Sequence, residues 1–173
     1  MMKISNQVMT LMVLSMTVAI AGIALSTSLT PSMVFANHEF ATNMTGQEEV
    51  PPVDTQAIGE AIFVPIQPTN ETIDFYVNAT GIQGVTQGHI HSGAQGENGP
   101  PVVTLFTFDP TQNPDQNGLT INGNITAMNL EGPMQGKNTS DLISAMKNGS
   151  TYVNVHTEQN PNGEIRGQLV DIP

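Results

Sequence analysis

Residues 72–80 read TIDFYVNAT. Ile73, Phe75, Val77 and Ala79 alternate with Asp74, Tyr76 and Asn78. A strict period of two is the mark of a strand with one face buried and one face wet. The same reading extends outward. Upstream, AIFVPI (61–66) predicts a strand, with Pro65 marking an edge or a bulge, and PTNE is the turn between the two. Downstream, residues 87–91 and 102–108 predict two more strands, separated by the Gly- and Pro-rich loop SGAQGENGPP. LTINGNITA (119–127) reads as a hairpin, because Asn122-Gly123 accepts the positive φ of a tight turn. TYVNVHT (151–157), a turn at NPNG and a final EIRGQLV complete the series, and residues 37–47 predict a first edge strand packed through Phe40 and Met44.

One segment breaks the period. TSDLISAMKNG offers Thr139 or Ser140 as an N-cap, with Leu142, Ile143 and Met146 on one face. Lys147 stands near its end and Gly149 is the stop. This predicts one short helix near 140–148. About eight strands with turns every 8–12 residues define an all-β chain, a single Greek-key β-sandwich or barrel.

The first three dozen residues do not belong to that pattern. Lys3 is the one charge before Glu39, and residues 8–26 are apolar or small. Val34-Phe35-Ala36 fits a small-residue cleavage rule. Residues 1–36 therefore read as an export signal, the alternative being an uncleaved membrane anchor, and residues 37–173 as the domain. The expected location is secreted or at the cell surface. From residue 37 onward three basic side chains face fifteen carboxylates, a net charge of about −12. That field repels nucleic acid and anionic lipid and collects cations. Membrane contact is expected only if the leading segment is retained. The chain has no cysteine, so no disulfide is available and a metal site must use nitrogen and oxygen donors. Six Asn-x-Ser/Thr triplets, at Asn43, Asn70, Asn78, Asn124, Asn138 and Asn148, are potential glycan acceptors in an exported chain.

Two of the four histidines fall in GHIHSG (88–93). With Ile90 turned to the core, His89 and His91 share the opposite face, their Cα atoms about 6.6–6.8 Å apart. Two imidazoles, each about 2.0–2.1 Å from one ion, span that gap. In TYVNVHT, Val153 and Val155 turn inward and Tyr152, Asn154 and His156 turn the other way. If the two strands are neighbours, His89, His91 and His156 converge, a donor set suited to copper or zinc. The competing reading is that these rings only hydrogen-bond carbonyls and hold the 92–101 loop. His38 would stand second in a cleaved chain, where the free amine and ring could hold copper. Glu164 and Arg166, two apart, read as an ion pair. Glu97, Asp109 and Asp115 are loop carboxylates open to calcium, without the Asp-x-Asp-x-Asp-Gly series that would make a loop site. No Gly-x-Ser-x-Gly elbow, P-loop or Ser/His/Asp set is present, so no catalytic residue is assigned.

The blocks TGQEEVPPV (45–53), GHIHSGAQGENGPPVVTLF (88–106) and KNGSTYVNVHTEQNPNGEIRGQL (147–169), in that order, resemble the CHRD family, named after repeats in chordin. The resemblance implies an extracellular or cell-surface binding or structural module with an unidentified protein or glycan ligand, rather than an enzyme. It does not imply chordin's own partner, since the cysteine-rich modules that accompany those repeats are missing. A slighter resemblance, to copper-zinc superoxide dismutase, rests on the His-x-His strand and a later Val-His. It implies a superoxide-dismutase-like barrel, as against an immunoglobulin-like sandwich, and a copper-dependent redox enzyme as the alternative function. The bridging histidine, the zinc ligands and the cysteines of that family have no counterpart here. A third reading is a surface assembly protein whose Pro-rich edges, such as EVPPV, meet neighbouring copies.

Overall fold

The strand of residues 73–80 is paired on both sides, with residues 58–65 and 118–125. The computed structural model describes residues 38–109 and 117–172, within the compact unit Val34–Pro173. The export signal expected at 1–36 and the loop carboxylate Asp115 lie outside the described residues. Nine strands follow in chain order: β1 Glu39–Thr45, β2 Ile58–Pro65, β3 Ile73–Thr80, β4 Val85–Ser92, β5 Pro101–Thr107, β6 Gly118–Ile125, β7 Thr151–Thr157, β8 Ile165–Gln168 and β9 Val170–Ile172. They form one antiparallel sheet in the order β5-β4-β7-β8-β1-β2-β3-β6, with β9 beside β1. The sheet curls into a nearly closed barrel whose free edges are β5 and β6. Of the two shapes the sequence allowed, sandwich or barrel, the chain forms the barrel.

Inside it, the inward side chains of the strands make the core. Phe40 and Met44 of β1, Phe63 of β2, Ile73 and Val77 of β3, Ile90 of β4, Val153 and Val155 of β7 and Ile165 of β8 are all fully buried. Phe63 stacks on Phe75, directly opposite it in the β2–β3 register. Burying side chains of this size contributes about 1.5–3 kcal/mol each. The single α-helix, α1 (Thr139–Lys147), closes over the core with Leu142, Ile143 and Met146. Asn138, not Thr139 or Ser140, is its N-cap, in a capping box with Asp141. Gly149, at φ 63°, terminates it as expected.

Three local expectations need correction. Residues 119–127 do not form a hairpin. Gly118–Ile125 is one continuous strand paired with β3, and Gly123 faces Phe75. A Cβ at Gly123 would stand 2.9 Å from the Phe75 ring, so this glycine makes room for an aromatic ring and is not a turn residue. β1 is not an edge strand: it pairs with β2 on one side and with β8 and β9 on the other. Nor is β2 an edge. Pro65 is its last residue, beyond the final β1 pair of Phe40 with Phe63, so no β1 hydrogen bond is lost there.

Candidate metal centre

β4 and β7 are neighbours, and their register aligns His91 with Tyr152, His89 with Asn154 and Gln87 with His156. Side chains directly opposite in an antiparallel pair share a face, so the polar residues of both strands gather on the side away from the core. β8 adds Arg166 and Gln168 to that face, opposite Asn154 and Tyr152. This face is not solvated. Tyr152, Asn154, His156, Glu164 and Arg166 are all buried, because three segments cover them: 46–53, 93–99 and 158–163. β5 runs past the histidine strand with an extra residue at two points, between Gly88 and His89 and between Ile90 and His91. This explains why Val102 and Val103 are both buried although adjacent.

His89, His91 and His156 each offer a ring nitrogen, and the three atoms lie within 4.8 Å of one another. The backbone fixes two of the rings. His91 Nδ1–H donates to Gly99 O at 2.9 Å, and His156 Nδ1–H donates to Pro161 O at 3.0 Å. A carbonyl can only accept, so the proton of each neutral ring sits on Nδ1 and the lone pair on Nε2. His156 Nε2 in turn takes a hydrogen bond from His89 Nδ1 at 3.1 Å. His91 Nε2 is buried and has no partner. Leaving a buried acceptor unmet costs about 1–3 kcal/mol. All three rings are held neutral. Burial pushes His89 down to about 4, helped by the neighbouring His156 and His91. Burial also lowers His91 and His156, against the opposing pull of their carbonyl hydrogen bonds.

At tetrahedral angles, nitrogens about 2.05 Å from an ion stand about 3.4 Å apart. The His89–His156 pair is already at that separation, and His91 has less than about 1.5 Å to close. Two Nδ1–H groups anchored on carbonyls, which leave the Nε2 lone pairs as the ones a metal would take, is the outer-shell arrangement that orients histidine ligands on metals. The residues therefore fit a copper or zinc ion. His91 is further held by its neighbours: its ring stacks on Tyr152 at 5.0 Å, and the Arg166 guanidinium carbon lies 3.4 Å from the Tyr152 ring centre.

Arg166 and Glu164 do not pair with each other. Arg166 donates to Asn98 Oδ1, Ala94 O and Glu97 O, holding down the 93–99 loop that carries Gly99. Glu164 accepts from Thr55, Thr157 and Asn160 instead. Successive outward residues of a strand reach different covering loops, which separates them. His38 bonds Asp171 across the β1–β9 pair. Glu97 uses its carbonyl on Arg166, and neither Glu97 nor Asp109 belongs to a cluster of metal-ligating groups among the described residues. Of the six sequon asparagines, Asn43, Asn124, Asn138 and Asn148 are exposed, and Asn70 and Asn78 are half-buried.

Some members of the site carried no sequence signal. Glu49, in the covering segment EVPPV, accepts Asn154 Nδ2 at 2.9 Å, with burial pushing its carboxyl up to about 7 against the Arg166 charge. Tyr152 and Asn154 were legible as outward residues of β7, but their burial was not.

An acidic antiparallel barrel with a covered polar layer and a convergent triplet of neutral histidines defines a binding module with a candidate metal centre. The profile of the CHRD domain matches residues 40–169, and the chain belongs to that family. Domains of this family occur in extracellular proteins. No curated protein and no solved structure matches the chain. Among the described residues no helix is long and apolar enough to cross a membrane.

Proposed function

We propose that this chain is an exported CHRD module that holds one copper or zinc ion on His89, His91 and His156. The observation that carries this reading is the buried, unpartnered Nε2 of His91, on a ring that brings a nitrogen within 4.8 Å of nitrogens of His89 and His156. Were the rings merely anchoring loops, the Nδ1 bonds to Gly99 and Pro161 would suffice, and nothing would require three ring nitrogens to meet. The acidic surface concentrates cations around the module. A copper-dependent redox enzyme is the second reading. It is favoured by the cluster offering three histidines, which leave the fourth position of a tetrahedral ion without a protein ligand.

The test is metal stoichiometry and affinity at neutral pH, with copper and zinc supplied separately, for the wild type beside His89→Ala, His91→Ala and His156→Ala. One tight equivalent, lost in each variant, is the expected result. Absence of binding, or binding indifferent to all three changes, overturns the reading. Superoxide turnover by the copper-loaded protein would then separate the enzyme from the module.

A further inference from the structure

The histidine cluster has a charged group on each side. Arg166 lies beyond Tyr152 on the covered side. On the other side stands Glu131, between the short 3-10 turns at Ala127–Asn129 and Gly132–Met134. Its backbone is tied to β5: the Glu131 N–H donates to Val102 O, and Leu130 bridges Val103. Its side chain is tied as well, for Thr104 Oγ1 donates to Glu131 Oε1 at 2.7 Å. Thr104 is directly opposite His89 in the β4–β5 register, so their side chains share a face. Thr104 thus delivers the carboxylate to the histidine side of the sheet.

Nothing in the local fold accounts for an acid at this position. The 132–134 turn, of which Glu131 is the N-cap residue, uses no side-chain cap bond. No ion pair of Glu131 occurs among the described residues. Three neutral imidazoles leave a dication uncompensated in a partly desolvated site, and a nearby carboxylate offsets that charge.

We propose that Glu131 is the outer-shell anion of this centre, a positioning residue that accepts a hydrogen bond from the water in the ion's fourth position and favours a divalent ion. It is not one of the ligand atoms within 4.8 Å of one another, so it acts through that water. This rests on the reading of the three histidines as ligands.

The experiment measures affinity for zinc(II), copper(II) and copper(I), each alone, by competition titration on the wild type, Glu131→Gln and Thr104→Val. Urea unfolding of the metal-free proteins accompanies it. Outer-shell substitutions weaken metal binding by about 10–100-fold. That loss is expected for zinc(II) and copper(II) in Glu131→Gln, with a smaller loss in the same sense for Thr104→Val. Copper(I), with one charge less, should lose less than copper(II), and the metal-free unfolding midpoints should not move. Wild-type binding with Glu131→Gln within about twofold of it, or equal losses for copper(I) and copper(II), overturns the proposal. A wild type that binds no ion overturns the histidine reading first and this one with it.

Discussion

Replacing Glu49 by glutamine should make the metal-free protein more stable, and only above acidic pH. In the native state burial raises the Glu49 carboxyl from 4.5 to about 7. Below pH 4.5 both folded and unfolded chains carry the proton, and the favourable contribution is complete. As pH rises through about 7 the unfolded chain releases the proton first, and the contribution is lost. At about 1.4 kcal/mol per pH unit, the two and a half units amount to about 3 kcal/mol. His89 works in the opposite direction. Its ring is lowered from 6.5 to about 4, so its contribution is present above pH 6.5 and lost as pH falls through about 4. The two slopes are similar in size and nearly cancel between pH 4.5 and 6.5. Glutamine removes one of them. It still offers Asn154 an acceptor, and its amide can also donate to Asn154 Oδ1, which is buried without a partner. Urea unfolding of both proteins at pH 4.5, 6 and 8 should show a gap growing from near zero to about 3 kcal/mol in favour of Glu49→Gln. His91 and His156 titrate in both proteins and drop out of the difference. A gap that does not change with pH would falsify the linkage, and a gap that turns against Glu49→Gln as pH rises would place the Arg166 charge, not burial, in control of Glu49.

Gly88→Ala should lower stability by about 1–3 kcal/mol, the range for overpacking a filled core, since its Cβ would stand 2.5 Å from two atoms of the Phe106 ring. Thermal unfolding checks this, and Phe106→Leu in the same chain should recover part of the loss. Arg166→Lys keeps the charge but cannot make all three hydrogen bonds to Ala94, Glu97 and Asn98. It should cost about 2 kcal/mol or more and speed proteolysis of the 93–99 loop, and an unchanged cleavage rate would count against Arg166 as the loop's anchor.

The strands that carry a clean period of two were legible because one face meets apolar core and the other meets water. β3 and the inward half of β7 are of this kind. The failures came where another force set the pattern. At Gly123 the dipeptide has turn chemistry, but the space belongs to the Phe75 ring, a neighbour that local sequence does not name. In β5 the two extra residues shift the alternation, so burial there follows the register with β4 and not the parity of β5 itself. For the histidines, parity placed His89 with His91, and His156 on the matching side of its own strand. Whether the two strands touch depends on the order of the sheet. Glu131 was invisible for the same reason in stronger form: its link to the site runs through Thr104, 27 residues away in the chain.

The outward face of β4, β7 and β8 is the least economical part of this barrel. A face meant for water needs no cover, and a face meant to be covered is cheapest when apolar. Here a guanidinium, two carboxylates, two imidazoles and an asparagine are buried together under three loops, with the half-buried His91 beside them. Burying such groups stabilises little relative to apolar packing of the same volume. Most of the layer is nonetheless satisfied: Glu164 holds three donors, Arg166 three acceptors, and two imidazoles have a carbonyl each. The unmet atoms are His91 Nε2, the Oδ1 of Asn154, which lies opposite His89, the Oε1 of Gln168 and the Oγ1 of Thr151. Of these four, only His91 stands on a ring that brings a nitrogen together with those of two other imidazoles, and departures from consistency are expected at functional sites. That placement favours a ligand-binding role for GHIHSG over a loop brace, because a brace would be finished by its own hydrogen bonds.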